Sequence, residues 1–315
     1  MGIGVGGGGI IGFAHETVAG TYVVPIKFTP VLSENLTFTP GNQYRRPVRQ
    51  TVDAIGVVPG NVSIGGTLSM ECLDDVIVYF LYCMRNTIVK SGSTNFTYTI
   101  TPTATPSALP TRTMSITVVR NGVTFGYVGC VVSKLTLSIQ NDLLQMDCDI
   151  MGLNEASQTL PTPTWPTSAP YGPGTWNVQV PTSSQVFDMD TFSFDIDEAG
   201  AAQYRLKNTG ANSGRGAQFI SMGERTTQLT ASRDFLDRTD YNAFQAGTAQ
   251  SVTIQALRGA NNGVSFVLGT AYKTSYDPTN GAQGDIVRAS ITYDTTNEAS
   301  GNVFTMTVQT QENIT

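Results

Sequence analysis

The chain has 315 residues, of which 40% are hydrophobic and only 13% are charged, and it contains 32 glycines and 15 prolines. This length is enough for about two domains with hydrophobic cores, and the many apolar residues exclude a disordered polyelectrolyte. The net charge of −6 argues against a protein that binds nucleic acid through its phosphates, because such binding depends on lysine and arginine.

The N-terminus shows neither a signal peptide nor a membrane-spanning segment. No apolar run approaches the roughly 20 residues of a transmembrane helix, so we predict no membrane insertion and synthesis in a cytoplasm. The opening MGIGVGGGGIIG has the glycine spacing of a nucleotide-binding loop, but no strand precedes it and no helix follows. We therefore predict a flexible glycine-rich arm over residues 1–13 and no cofactor.

Strand patterns dominate residues 14–155. Leu135, Leu137 and Ile139 alternate with polar residues, and this period of two indicates a strand with one buried face. The pair Asn121-Gly122 is typical of a two-residue hairpin turn. These patterns predict a first β-domain over residues 14–155.

One segment of this domain has helical periodicity. Asp74 and Asp75 stand at its start, where the helix dipole favours carboxylates. The apolar positions that follow recur at helical spacing, namely Leu73, Val76, Ile77, Phe80, Leu81 and Met84. The spacing predicts a helix from Leu73 to about Arg85 that lies across a sheet.

Residues 101–111 are rich in proline and poor in charge. The segment begins at Thr101 and contains Pro102, Pro106 and Pro110 between two strand patterns. Proline removes a donor from a sheet ladder, so the composition predicts a long loop. Loops of this length in compact domains are usually functional or disordered.

Six prolines lie between residues 156 and 186, and this density predicts a Pro/Thr-rich linker. After it the order of patterns repeats. A strand (TTQLTASRDF) leads to a short helix over residues 239–246 that Gly247 ends, and further strands follow. The shared order predicts a second β-domain over residues 187–315, related to the first.

Residues suited to catalysis or metal binding are scarce. His15 is the only histidine, and it lies near the predicted flexible arm, which cannot hold a catalytic base in place. Cys72, Cys83, Cys130 and Cys148 form no Cys-x-x-Cys pair and lack histidine partners. We predict four buried free thiols.

Four aspartates form two pairs, Asp188 with Asp190 and Asp195 with Asp197, and the members of each pair are two residues apart. Acids two residues apart on a strand share one face, whereas a glycosidase pair needs carboxylates on opposite sides of a cleft. The run also lacks the oxygen ligands of a calcium loop. We predict no catalytic, cofactor-binding or metal-binding residues, and a protein that is not an enzyme.

Several phrases resemble the tail tube (major tail) proteins of long-tailed bacteriophages. They include Glu16-Thr17, Gly20-Thr21 and Pro25, then RRPVRQ at residues 45–50, LTASRDFLDRTDYNAF at 229–244 and DIVRASITYD at 285–294. The resemblance covers about residues 12–310. It implies a mainly β fold with two tandem tail-tube-like β-sandwich or barrel domains, each with one flanking α-helix.

The resemblance also implies a function. Such proteins are structural virion proteins, and they assemble in the host cytoplasm into stacked rings that form the hollow tail tube. The genome passes through the lumen without specific binding, and tape-measure and tail-terminator proteins are the expected partners. If both halves are tube-like, three chains form a pseudo-hexameric ring; if only one is, six chains are needed.

Candidate functional residues follow from this resemblance. The expected inter-ring arm contains Ile10, Ile11 and Phe13. The expected inter-subunit loop contains Thr101, Pro102, Pro106 and Pro110. The expected lumen-facing acids are Asp188, Asp190, Asp195 and Asp197, because carboxylates repel DNA phosphates.

Two other functions remain open at this stage. A carbohydrate-binding β-sandwich would use exposed aromatic rings, and Trp165, Tyr171 and Trp176 are candidates for such a platform. A head-decoration protein of a virion would share the composition, and fold alone does not separate it from a tube protein.

Overall fold

The computed structural model of the protein describes residues 9–48, 53–105, 109–158, 162–166, 168–172, 174–180, 189–205, 214–235, 238–259, 261–279, 286–296 and 303–314. These residues form many strands and two helices, which confirms the mainly β prediction. Two of the candidate residues, Pro106 and Asp188, lie outside the described residues.

The two halves of the chain each contain one helix. The elements of the first half are β1 (Ile10–His15), β2 (Lys27–Thr29), β3 (Val31–Glu34), β4 (Thr37–Pro40), β5 (Gln43–Arg45), β6 (Gly56–Val58), β7 (Val62–Glu71), α1 (Asp74–Tyr82), β8 (Asn86–Ser91), β9 (Phe96–Pro102), β10 (Met114–Arg120), β11 (Val123–Gln140), β12 (Leu143–Gly152) and β13 (Asn154–Ser157). The elements of the second half are β14 (Trp176–Gln179), β15 (Thr191–Asp197), β16 (Ala201–Gln203), β17 (Phe219–Ser221), β18 (Thr226–Asp234), α2 (Thr239–Gln245), β19 (Gln250–Leu257), β20 (Gly263–Thr279), β21 (Arg288–Thr295) and β22 (Thr305–Thr310).

One antiparallel sheet, which we call the main sheet, runs through both halves. Its strand order is β3 and β4 at one edge, then β7, β12, β11, β15, β18, β21 and the later part of β20. The pairing of β11 with β15 joins the two halves. A division into two tandem domains stays a prediction, because the halves share this sheet.

Two further ladders cover the main sheet. The first has the order β2, β1, β10, the early part of β11, and β13. The second has the order β14, β19, the early part of β20, β22, β9 and β8. The long strands β11 and β20 therefore each belong to two layers, with a register shift near the middle of each.

Helix α1 is buried between these layers, and all nine of its residues are buried. Phe13 of β1 packs edge-on against Tyr79 and Phe80 of the helix, with ring centroids 5.3 and 5.1 Å apart. The turn predicted for a tight hairpin is present, and Asn121 and Gly122 have φ values of 49° and 77°. Both predicted helices are confirmed within a few residues of their expected ends.

The carboxylates at the start of α1 are paired with distant parts of the chain. Asp74 accepts hydrogen bonds from Arg258 at 2.9 Å and from Asn262 at 2.7 Å, both in the turn between β19 and β20. Asp75 accepts one from Lys27 at 2.7 Å, and Lys27 also contacts Glu312 near the C-terminus. The helix of the first half is thus held in part by the second half.

The start of the described chain differs from the predicted flexible arm. Ile10 begins strand β1, which pairs with β10 and β2, and Ile11 and Phe13 are only 1% and 0% exposed. The prediction of flexibility is therefore wrong for residues 10–13. These side chains alternate into the core against α1, and burial of such groups stabilises the strand despite the nearby glycines.

Parts of the predicted loop and linker also belong to the sheets. Thr101 and Pro102 end strand β9 and lie opposite Thr87 and Asn86 of β8, so the loop begins later than predicted. Within the predicted linker, Trp176 begins strand β14, which pairs with β19. Proline is compatible with a strand end, which explains why Pro102 does not exclude pairing.

A buried cluster of three charges, the junction triad, lies where the halves meet. Glu198 follows β15 and is 0% exposed; its carboxylate lies 3.1 Å from Nε of Arg85 and 2.6 Å from Nη2 of Arg225. Burial lowers the pKa of Arg225, and Glu198 opposes that shift. The triad therefore connects the start of β8, which Arg85 precedes, to the start of β18, which Arg225 precedes.

Replacing Glu198 with alanine leaves two largely buried guanidinium groups without their carboxylate. We expect the free energy of unfolding to fall by about 3 to 5 kcal/mol in urea denaturation. The control Glu224→Ala removes an exposed carboxylate close by and should change it by less than about 0.5 kcal/mol. Equally small effects in both variants would show that the triad does not hold the halves together.

Candidate functional site

The main sheet has one apolar face and one polar face. Leu137, Phe194 and Leu229 point to the apolar face and are fully buried in the core. The residues that alternate with them point the other way and form what we call the polar face. Its members are Ser69, Glu71, Lys134, Thr136, Ser138, Asp147, Asp149, Ser193, Asp195, Asp197, Gln228, Thr230, Ser232, Asp234, Arg288, Ser290, Thr292 and Asp294.

Carboxylates outnumber cations on the polar face. The cations are Lys134 and Arg288, and the acids are Glu71, Asp147, Asp149, Asp195, Asp197, Asp234 and Asp294. Arg288 lies 2.5 Å from Asp190 and 3.6 Å from Asp234. The polar face is therefore a broad, mainly acidic surface that crosses from the first half of the chain to the second.

Three of the four candidate acids are described, and all three lie on or beside the polar face. Asp195 accepts a hydrogen bond from Thr136 and lies 3.4 Å from Nζ of Lys134. Asp197 accepts one from the N–H of Ala199 at 2.8 Å. Asp190 is exposed just before β15, at the margin of the polar face, and lies beside Arg288.

Sequence reasoning missed other acids of this face, notably Asp147 and Asp149. Strand β12 brings both opposite β11, where Asp147 faces Thr136 and Asp149 faces Lys134. Their alternation with Met146 and Cys148 was visible in the sequence and would have placed them on a solvated face.

A two-stranded projecting hairpin, β5 and β6, stands apart from the other sheets. Its two strands pair only with each other in the described chain, and its base closes where the N–H of Gly41 donates to the carbonyl of Asn61 at 2.8 Å. Tyr44 is 66% exposed and Val57 is 50% exposed. Exposed apolar side chains of this kind mark an interaction surface.

The candidate arm and loop are largely held by the chain itself. Ile10, Ile11 and Phe13 belong to β1 and are not free to reach a neighbour. After β9, the N–H of Thr103 donates to Arg85 at 3.1 Å, and the hydroxyl of Thr111 donates to Asn86 at 3.0 Å. Pro110 lies between these anchors and is half-buried.

A cleft of about 1050 Å³ opens beside this loop. Its lining includes Pro102, Lys134, Asp195, Asp197 and Arg225, which all have polar or packing partners in the chain. Within the described ranges, no three histidine, cysteine, aspartate or glutamate side chains are grouped closely enough to hold a metal ion.

The histidine and the four cysteines, which were the possible nucleophiles and bases, are buried. His15, which lies near the predicted flexible arm, ends β1 and is held in place with its Nε2 3.0 Å from the carbonyl of Tyr79. The prediction of buried free thiols is confirmed. Burial raises the pKa of all four, Cys72, Cys83, Cys130 and Cys148, which keeps them as unreactive thiols.

The three aromatic residues of the possible sugar platform are separated by their packing. Tyr171 is 0% exposed, and Trp176 packs edge-on against Phe192 with ring centroids 5.4 Å apart. Trp165 is exposed. No helix in the described part of the chain has the length and apolar character needed to cross a membrane.

Comparison with known proteins agrees with the resemblance noted in the sequence. The family model described as phage tail tube protein matches residues 6–295, nearly the whole chain. No curated protein matches the sequence significantly. The chain therefore belongs to the phage tail tube protein family, whose members are structural proteins of the virion tail.

Proposed function

We propose that copies of this chain form rings that stack into the hollow tail tube, and that the polar face lines its lumen. The observation that carries the proposal is the main sheet, which runs through both halves of the chain and turns one mainly acidic face outward. The phage genome then passes along this face without specific binding, and the protein has a structural role and no catalytic one.

Electrostatics supports a lumen lined by this face. DNA carries a phosphate charge about every 1.7 Å along its axis, and carboxylates repel it over the Debye length of about 8 Å at physiological ionic strength. Asp147, Asp149, Asp195 and Asp197 lie near the middle of the sheet, opposite one another across β12, β11 and β15. A surface of this sign keeps DNA moving because it offers no attractive site.

The edges of the main sheet support ring formation. Within the described residues, β3 and β4 pair only with β7, and residues 273–279 of β20 pair only with β21. Unpaired N–H and C=O groups on such edges bind another strand, and two different edges on one chain join copies head to tail into a ring. We favour three chains in a pseudo-hexameric ring; six chains are the alternative.

Stacking requires a second contact, and the projecting hairpin fits it. Tyr44 and Val57 are both exposed among the described residues, so burial of these side chains against a neighbouring ring would stabilise the tube. The hairpin takes the role expected of Ile10, Ile11 and Phe13, which the core already uses. The loop around Pro110 remains a proposed inter-subunit contact.

The proposal extends to partners and place of assembly. A tape-measure protein inside the tube and a tail-terminator at its end are the expected partners, with assembly in the bacterial cytoplasm. We do not favour a head-decoration protein, since no feature of the described residues supports that function. The sugar-binding alternative loses support because Tyr171 is buried in the core and Trp176 packs against it.

Assembly of the purified full-length chain is the first prediction of this proposal. We expect hollow tubes or stacked rings of uniform diameter in negative-stain electron microscopy, with matching fast-sedimenting material. Monomers alone, even after seeding with preformed tail tips, would contradict the proposal.

Charge reversal on the polar face should make the lumen bind DNA. We expect tubes of Asp147→Lys to retain a short fluorescent duplex in pelleting assays at low salt, and to release it as salt rises. The control Glu155→Lys changes net charge equally but lies in β13, outside the main sheet. If tubes of both variants retained the duplex equally, the polar face would not line the lumen.

Shortening the projecting hairpin should separate folding from stacking. None of the described residues between 43 and 58 is buried, so we expect replacement of this span with a Gly-Ser turn to leave the thermal unfolding temperature of the monomer within about 2 °C. Tubes should be lost while single rings persist in electron micrographs. Normal tubes from this variant would refute a role of the hairpin in stacking.

A further inference from the structure

The strand pairings of the second half repeat those of the first half. The ladder β1–β10–β11–β13 corresponds to β14–β19–β20–β22. The ladder β4–β7–β12–β11 corresponds to β15–β18–β21–β20. The helices α1 and α2 follow β7 and β18, and the hairpins β5–β6 and β16–β17 precede them.

This repetition makes the contact between the halves a template for a contact between copies. Inside the chain, the later part of β11 pairs with β15. The counterpart of the later part of β11 is the later part of β20, and the counterpart of β15 is β3 with β4. These counterparts are the two unpaired edges of the main sheet.

We infer that the later part of β20 in one copy pairs with the β3–β4 edge of a second copy, in the register of the β11–β15 junction. The inference rests on the proposed ring. It names the surfaces that close the ring and the strand register between copies.

The register follows first from the shared bulge. Against β12 and β21 respectively, β11 and β20 each shift register once, between Val132 and Lys134 and between Lys273 and Ser275. Lys134 and Ser275 therefore correspond. Two residues further along, Thr136 corresponds to Asp277.

The other edge is aligned through β7 and β18. Cys148 lies opposite both Leu135 and Leu68, and Ile291 lies opposite both Tyr276 and Ala231. Leu68 and Ala231 therefore correspond.

From there the edge strands follow directly. Glu34 lies opposite Leu68 and Phe192 opposite Ala231, so these two residues correspond. Counting along β4 and β15 from this point, Thr39 corresponds to Asp197 and Thr37 to Asp195. The independent pairing of Thr37 with Gly65 is consistent with this count.

The internal junction pairs Lys134 with Asp197 and Thr136 with Asp195. The contact between copies then pairs Ser275 with Thr39 and Asp277 with Thr37. All four of these side chains are exposed in the single chain, and they continue the polar face. On the opposite face, Tyr276 meets Phe38 and extends the apolar core.

The two kinds of junction differ in charge. By the same alignment, Glu198 and Arg225 of the junction triad correspond to Pro40 and Val62. The internal junction between β11 and β15 is stabilised by the buried ions of the triad. The junction between copies, in which β20 meets the β3–β4 edge, relies on backbone pairing and apolar contact. Each chain supplies one junction of each kind, so the three-chain ring of the proposed function contains six similar junctions.

Cysteine cross-linking tests the register in assembled tubes of the full chain. Residues directly opposite on antiparallel strands have Cα atoms about 4.5 to 5.5 Å apart, within disulfide range, whereas diagonal residues are about 7 to 8 Å apart. The matched variant is Ser275→Cys with Thr39→Cys. The shifted control is Ser275→Cys with Thr37→Cys. The four native cysteines are buried and do not compete.

We expect mild oxidation of the matched variant to convert the monomer band to a covalent trimer on a non-reducing gel, with little conversion of the shifted control. A mixture of the two single variants, Ser275→Cys and Thr39→Cys, should give dimers only, and either one alone should give none. This mixture also tests the register if the double variant fails to assemble.

Three outcomes overturn the inference. Tubes in which the matched and shifted variants cross-link equally would refute the register. Tubes whose cross-linked product extends to six chains would refute the three-chain ring. A wild-type chain that forms no rings at all would refute the proposed function itself, and this outcome is read before any cross-linking.

Discussion

The pairing of β11 with β15 is the constraint on which the rest of the structure depends. It joins two sets of strands into one sheet, so that the polar side chains of both halves share one face and the apolar side chains share one core. Backbone hydrogen bonds alone are individually modest in net stability. The junction triad adds three buried charges at the same place, and losing Glu198 would leave two guanidinium groups without their carboxylate.

Local features of the fold could be read from the sequence, because they depend on nearby residues. The spacing after Leu73 gives a helix that the structure places at Asp74–Tyr82, and the Asn121-Gly122 pair gives a turn with positive φ. The strand character of residues 10–13 was missed because it depends on distant groups. Phe13 is buried by Tyr79 and Phe80, and no local pattern announces that contact.

For the candidate surfaces too, the sequence revealed what depends on nearby residues and missed what depends on distant strand pairing. The acidic face was anticipated at Asp195 and Asp197 because alternation along one strand is a local property. Its full extent was not, because Asp147 joins it only through the pairing of β12 with β11. The projecting hairpin was missed for a different reason: the exposure of Tyr44 and Val57 depends on which distant groups pack against them, and no local pattern reports it.

The burial of α1 has a consequence for synthesis of the chain on the ribosome. The helix carries two carboxylates whose partners include Arg258 and Asn262, and Lys27 beside it contacts Glu312 near the C-terminus. An emerging chain therefore leaves these carboxylates without their partners, and α1 without strand β22, until the second half has been made. Until then the helix is incompletely covered, and incompletely covered apolar surface is what chaperones and proteases recognise.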